Sequence, residues 1–145
     1  MDFGTLQLLH RCHQEYSRRK LREQSLSDTE YQLCAYIDIH GGCSQEQAAT
    51  ALRMDKTTVA KALTALERKG WITRAADPID RRRKQLRLTE EGSGKLSGLT
   101  ELHSRWLDEI MGVLSPEEQL HFEDSCVRLL RAAEALAEKK ESAEE

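Results

Sequence analysis

The constraint that limits this chain most is a change of hydrophobic period at Gly70. Before it, Val59, Ala62, Leu63 and Leu66 recur at three- and four-residue spacing, the pattern of a helix with one buried face. After it, Trp71-Ile72-Thr73-Arg74-Ala75 reads as a strand, and Lys84-Gln85-Leu86-Arg87-Leu88-Thr89 alternates polar with apolar residues as a second. Between the strands lies Ala76-Asp77-Pro78-Ile79-Asp80-Arg81-Arg82-Arg83, where a proline in an Asp-rich tip is turn chemistry. A helix that stops at a glycine and leads into a charged hairpin leaves few architectures open.

The helix starts upstream are equally well marked. Leu26-Ser27-Asp28-Thr29-Glu30-Tyr31 supplies a serine N-cap, a reciprocal Glu and a Leu26–Tyr31 hydrophobic staple, predicting a helix to about His40 that Gly41-Gly42 stops. Ser44-Gln45-Glu46-Gln47 repeats the capping box and opens a short helix to about Arg53. Asp55 caps the next, which reaches Lys69 and stops at Gly70. A short capped helix, a tight link at Leu52-Arg53-Met54 and a longer helix have helix-turn-helix proportions.

The flanks are helical too. After a Thr89 cap, Leu96, Leu99, His103, Trp106, Ile110 and Leu114 form a seam close to a coiled-coil stripe. Ser115-Pro116-Glu117-Glu118 starts a last helix with Phe122, Cys126, Leu129, Leu130, Ala133 and Leu136 on one face. Phe3, Leu6, Leu9, His13 and Tyr16 mark another amphipathic helix at the start. The fold class is therefore mainly α with a small β-hairpin wing. The expected division is residues 1–26 as an N-terminal dimerisation helix, 27–92 as a winged helix-turn-helix domain, and 93–145 as C-terminal dimerisation helices. A chain of 145 residues cannot bury these outer stripes alone, so a homodimer is the simplest place for them.

Charge separates the same regions. Residues 44–89 hold 11 Lys and Arg against 5 Asp and Glu, whereas residues 90–145 hold 6 against 14. The overall net charge of -3 hides a basic middle, the footprint of a nucleic-acid reader. In a helix-turn-helix the second helix enters the major groove with its first turns toward base edges. Lys56, Thr57, Thr58 and Lys61 hold those positions, with Ser44 and Gln45 opening the helix before. Threonine hydroxyls and methyls and the Lys61 ammonium suit base edges and phosphate. At the hairpin, Arg81, Arg82, Arg83 and Lys84 repel one another unless a polyanion is present. Asp80, two residues before Arg82, is placed to orient one guanidinium for a minor groove.

Other classes receive less support. No Gly-rich phosphate loop, serine elbow or metalloprotease pattern points to an enzyme, and nothing calls for a cofactor. The absence of an apolar run of membrane length and of a leader-like N-terminus points to a cytoplasmic, nucleoid-associated protein with no membrane partner. Cys34 and Cys126 fall on apolar faces as small hydrophobes, whereas Cys12 and Cys43 are the candidates for oxidation sensing; Cys43 precedes a helix N-terminus, which favours a thiolate. His10 and His13 share a helix face, but no third ligand completes a zinc site in sequence. A helical protein-interaction module without DNA binding is the contrasting class.

The chain resembles the MarR family of bacterial transcription regulators. The resemblance is carried by Leu52-Arg53-Met54-Asp55-Lys56-Thr57-Thr58-Val59, by Leu66-Glu67-Arg68-Lys69-Gly70-Trp71-Ile72, and by Asp77 through Gly92, with Asp80, Arg82, Leu88 and Thr89 matching the wing signature. It implies an obligate homodimer with interleaved terminal helices on a pseudo-palindromic double-stranded DNA operator. The recognition helices would occupy successive major grooves and each Arg82 a flanking minor groove, with half-sites about one helical turn apart. It further implies a repressor released by a small-molecule effector held between the first, second and fifth helices. Redox- or zinc-responsive regulation is the alternative within the same fold.

Overall fold

The computed structural model describes the backbone of residues 3–144 and the side chains of residues 4–137. Its elements are α1 (Phe3–Glu23), α2 (Asp28–Ile39), α3 (Gln45–Ala51), α4 (Lys56–Arg68), β1 (Ile72–Ala76), β2 (Lys84–Leu88), α5 (Glu90–Met111) and α6 (Pro116–Glu144). Two compact units divide at α5, one ending at Trp106 and the other beginning at Leu107.

Local chemistry sets the boundaries in the first unit. Ser27 and Ser44 each close a complete capping box, with Glu30 and Gln47 returning the bond to the cap backbone. Asp55 caps α4 by accepting the Thr58 N–H at 2.8 Å. The left-handed stops fall at Gly42 (φ 87°) and Gly70 (φ 76°), where a side chain would be strained. Among the described residues, Ser25 before α2 and Arg53 in the α3–α4 link also take positive φ without being glycine.

The core sits beneath the helix-turn-helix. Leu33, Cys34 and Ile37 of α2 meet Val59, Leu63 and Leu66 of α4, closed over by Trp71, Ile72 and Leu86 of the hairpin. β1 and β2 pair antiparallel with Ile72 opposite Leu88 and Ala76 opposite Lys84. The outer edge of β2 is also covered, because Leu86 exchanges backbone bonds at 2.8 Å with Gly42 and Cys43 in the α2–α3 link. β2 is thus held on both edges, by β1 and by the α2–α3 link.

The junction from β2 into α5 is tight. Thr89 Oγ1 donates to the Gly70 carbonyl at 2.6 Å and accepts the Gly92 N–H at 2.9 Å. A Cβ on Gly92 would lie 2.1 Å from the Trp71 carbonyl oxygen, so only glycine permits this approach. In the unit from Leu107 onward, Ser115 and Glu118 cap α6 reciprocally, and Phe122, Leu129, Leu130 and Leu136 stand exposed. Leu6, Leu8, Leu9 and Tyr16 of α1 are likewise exposed. Cys126, expected among small buried hydrophobes, lies on an exposed surface of this single chain.

Candidate nucleic-acid interface

α4 presents two faces because its sequence alternates them. Val59, Ala62, Leu63 and Leu66 are buried, while Lys56, Thr57, Thr58, Lys61 and Thr64 are exposed. The Thr58 hydroxyl donates to the second Asp55 oxygen, so its hydrogen is engaged in the cap and its methyl and lone pairs remain outward. The Asp55 carboxyl is held below the usual carboxylate range by the Thr58 side-chain and backbone donors. Lys56, Thr57 and Lys61 are left as the open polar groups of the first turns.

Ser44 and Gln45 are placed differently from these. Ser44 is buried and its hydroxyl accepts the Gln47 N–H at 3.1 Å, which gives it a capping part in the helix before α4. Gln45, the first residue of α3, is half-buried.

The wing carries Arg81, Arg82, Arg83 and Lys84, all exposed. Its backbone is fixed by acceptors inside the turn. Asp77 Oδ1 takes the N–H groups of Ile79 (2.8 Å) and Asp80 (3.1 Å), and its Oδ2 takes Gln85 Nε2 at 3.1 Å. These donors hold the Asp77 carboxyl below its ordinary range. Across the turn, Asp77 N–H donates to the Arg83 carbonyl and Arg83 N–H to the Asp80 carbonyl, each at 2.9 Å.

Asp80 engages the guanidinium of Arg83 and the main chain of Arg82. Its Oδ1 accepts the backbone N–H of Arg82 at 3.0 Å, and its Oδ2 lies 3.9 Å from Arg83 Nε. Asp80 therefore orients Arg82 through the main chain, with the guanidinium left outward. An i to i+2 acceptor bends the chain back on itself, which is why the carboxylate reaches the amide before the side chain.

Asp77 and Gln85 are wing-ordering residues that sequence reasoning does not single out; the Asp-Pro-x-Asp pattern of an Asx turn is the available signal. A third is Arg74 on β1, whose guanidinium lies against α4, 3.3 Å from Thr64 Oγ1 and with Nε 3.4 Å from Glu67. It offsets the acidic residue nearest the exposed face of α4.

Cys43 also differs from expectation. It is buried at the Leu86 bridge, and burial raises its thiol above the ordinary value. Removing a thiolate from water costs more than the neighbouring helix N-terminus returns, which disfavours the reactive form of Cys43. Cys34, buried and close to Glu30, is pushed up to about 12. Cys12 is exposed.

Away from the interface, α1, α2 and α5 bring rings together. His13 Nε2 lies 2.6 Å from His103 Nδ1, Tyr31 stacks on His103 at 4.3 Å, and Trp106 meets His13 at 4.8 Å. His10 faces the same histidine as a charge neighbour. Among the described residues no three His, Cys, Asp or Glu side chains gather as a metal site.

A capped helix pair, an exposed polar face on its second helix and an ordered basic hairpin define a winged helix-turn-helix protein. Residues 26–84 match the profile of the MarR family. The regulator BilQ of Clostridioides difficile strain CD3, an HTH-type transcriptional regulator, is 28% identical over 127 residues, covering 81% of this chain and 86% of BilQ. The crystal structure of MarR superposes with a TM-score of 0.82 at 29% identity over 96% of this chain and 98% of that one. The Staphylococcus aureus MepR–DNA complex shares the fold at a TM-score of 0.80 and 24% identity, over 91% of this chain and 98% of MepR. Over its helix-turn-helix and the start of the wing the chain is therefore similar to the MarR family, and the proteins it resembles along most of its length are regulators of that kind.

Proposed function

We propose that this chain is a homodimeric transcriptional regulator that binds duplex DNA sequence-specifically and represses until an effector releases it. The observation that carries this reading is the pairing of two exposed cationic elements on one small rigid unit. Lys56, Thr57 and Lys61 occupy the open face of α4, and Arg81 to Lys84 occupy a wing whose backbone is pinned by Asp77 and Asp80. Lysines on a helix suit major-groove edges, and a narrow arginine-tipped hairpin suits the negative potential of a minor groove. Relatives support the regulatory part, since BilQ is an HTH-type transcriptional regulator.

The partner of the exposed apolar faces on α1 and α6 is a second copy. Leu8, Leu129, Leu130 and Leu136 are each between 59% and 67% exposed, too much apolar surface on too few turns to remain in water. No described helix is long and apolar enough to cross a membrane, so these stripes are not spans. Binding a two-fold symmetric operator then follows from two-fold protein symmetry.

The effector reading rests on the ring cluster of His13, Tyr31, His103 and Trp106, in which His103 Nε2 has no hydrogen-bond partner. Half-buried rings with one unsatisfied polar atom suit a small aromatic or anionic ligand. The site assignment is tested by titrating the wild type and Arg82→Ala against a duplex that the wild type selects from a randomised library. The expected result is affinity that falls steeply with salt and collapses in the variant. A flat salt response would remove DNA as the partner, and unchanged affinity in Arg82→Ala would remove the wing.

A further inference from the structure

Lys69, at the C-terminal cap of α4, is bound to a different part of the molecule from the residues at the other end of that helix. Its Nζ lies 2.7 Å from Glu30 Oε2 and donates also to the Ser25 carbonyl. The same Glu30 oxygen accepts the Ser27 N–H at 3.0 Å, completing the cap of α2. Glu30 is one of few buried charged residues, at 7% exposure, and it stands 39 positions before Lys69. Ser25 holds a left-handed φ of 52° just beyond the end of α1, and its carbonyl is the one that accepts from Lys69. Leu26 N–H closes that turn on the Leu21 carbonyl at 2.8 Å, and both leucines are buried. One ammonium thus ties together the end of α1, the start of α2 and the end of α4.

We infer that Lys69 and Glu30 are positioning residues for base reading: they fix the tilt of α4 and so where Lys56, Thr57 and Lys61 stand. The inference rests on the DNA-binding function proposed above. A helix of 13 residues is about 20 Å long, so a tilt of about 5° about one end carries the other through roughly 1.7 Å. Hydrogen bonds to base edges tolerate about 0.5 Å. A bond at the cap therefore controls recognition about two to four turns away. Lys69 is not itself a phosphate contact in this reading, because its charge is already met by Glu30 and it is only part-exposed.

The pair also explains why an ion pair stands there at all. Buried ion pairs contribute little to net stability compared with apolar residues of the same volume, yet they fix geometry, since a charge left unpaired is heavily penalised. Apolar packing between α2 and α4 is non-directional, whereas an ammonium shared by Glu30 and the Ser25 carbonyl adds a directional constraint.

The test uses the full-length dimer, the duplex it selects from a randomised library, and poly(dI-dC) as the sequence-independent probe. Lys69→Met removes the ammonium and keeps the length. It is expected to weaken the selected duplex about tenfold or more while poly(dI-dC) affinity stays within about twofold and the salt slope is unchanged. Lys69→Arg, which can still bridge both oxygens, is expected to recover most of the discrimination. Glu30→Gln keeps the α2 cap, because Gln serves in a capping box, and is expected to lose discrimination as Lys69→Met does. The double variant Lys69→Met/Glu30→Gln removes the unpaired charge, so it is expected to regain melting temperature without regaining discrimination. That arm decides the matter if the single variants fail to fold. Discrimination preserved in Lys69→Met or in the double variant would overturn the inference. So would an equal loss on both probes with a salt slope lower by about one, which would make Lys69 a phosphate ligand. A wild type that selects no duplex would overturn the DNA-binding reading itself.

Discussion

His13 Nε2 and His103 Nδ1 lie 2.6 Å apart, joining α1 to α5 through two rings ninety positions apart in the sequence. One ring nitrogen must donate and the other accept, so the bond requires at least one neutral ring. Burial lowers both pKa values, each ring lies under the influence of a neighbouring histidine, and Asp28 raises both in part. Lowered folded values mean that the unfolded chain binds protons first. Stability is then full above the ordinary histidine value of 6.5 and falls as pH drops through the lower folded values. Chemical denaturation at a series of pH values should show the midpoint falling below about pH 6.5. His103→Phe, which keeps a ring against Tyr31, should flatten that decline; an unchanged profile would mean the pair does not govern it.

Arg82→Ala should weaken operator binding severely, by roughly 1–3 kcal/mol in each half-site, with little change in melting temperature. Its guanidinium points outward and only its main-chain N–H serves the turn, at 3.0 Å from Asp80. Asp77→Ala should weaken binding to a similar degree for a different reason, because it removes the acceptor of three donors and unpins the hairpin. Hydrogen exchange separates the two: the Ile79 and Asp80 amides should exchange faster in Asp77→Ala and not in Arg82→Ala.

Lys61→Ala should relax base preference as well as affinity. Lys61 is exposed on α4, one turn after Thr57 and Thr58, and no ion pair within the described residues holds its ammonium back. Selection from a randomised library with the variant should return a broader consensus at one position per half-site. A uniform fall in affinity with an unchanged consensus would assign Lys61 to phosphate.

Much of the fold is legible in the sequence because its signals are local. The Ser27, Ser44, Asp55 and Ser115 caps act on amides three residues away, so four helix starts follow from short strings of sequence. Gly70 and the alternation after it mark the hairpin in the same way. What depends on packing between elements is not legible. Lys69 with Glu30, His13 with His103 and Arg74 with Thr64 are pairs that exist only once separate elements are docked. Cys43 shows the cost of a local argument carried too far: the helix N-terminus beside it is real, but its pairing with Leu86 buries the thiol. Asp80 does lie in the wing as expected, and the part of Arg82 that it grips is set by turn geometry.

Thiol accessibility should follow burial rather than proximity to helix ends. In native protein at neutral pH, Cys34 and Cys43 should resist a disulfide reagent that labels Cys12, because burial raises both thiols and thiolate is the reactive form. Adding denaturant should expose all four cysteines. Rapid labelling of Cys43 in the native state would contradict the strand-like pairing of the α2–α3 link.

Gly92→Ala should be strongly destabilising. Its Cβ would stand 2.1 Å from the Trp71 carbonyl oxygen and 2.9 Å from the Trp71 carbonyl carbon and Cα, all of them backbone atoms that cannot rotate away. Relief requires α5 to lift from the hairpin. That movement would stretch the Thr89 bonds to Gly70 and Gly92 and uncover Trp71, which is 2% exposed. Overpacking of this kind costs about 1–3 kcal/mol, more where backbone must shift. Gly94 and Gly98, farther along the same helix, have nothing within 4 Å of an added Cβ. Alanine there should raise stability by up to about 1 kcal/mol through helix propensity. Thermal melts of the three variants should therefore move in opposite directions, Gly92→Ala down and the other two up. A melting temperature unchanged by Gly92→Ala would show that α5 does not approach the hairpin as closely as this.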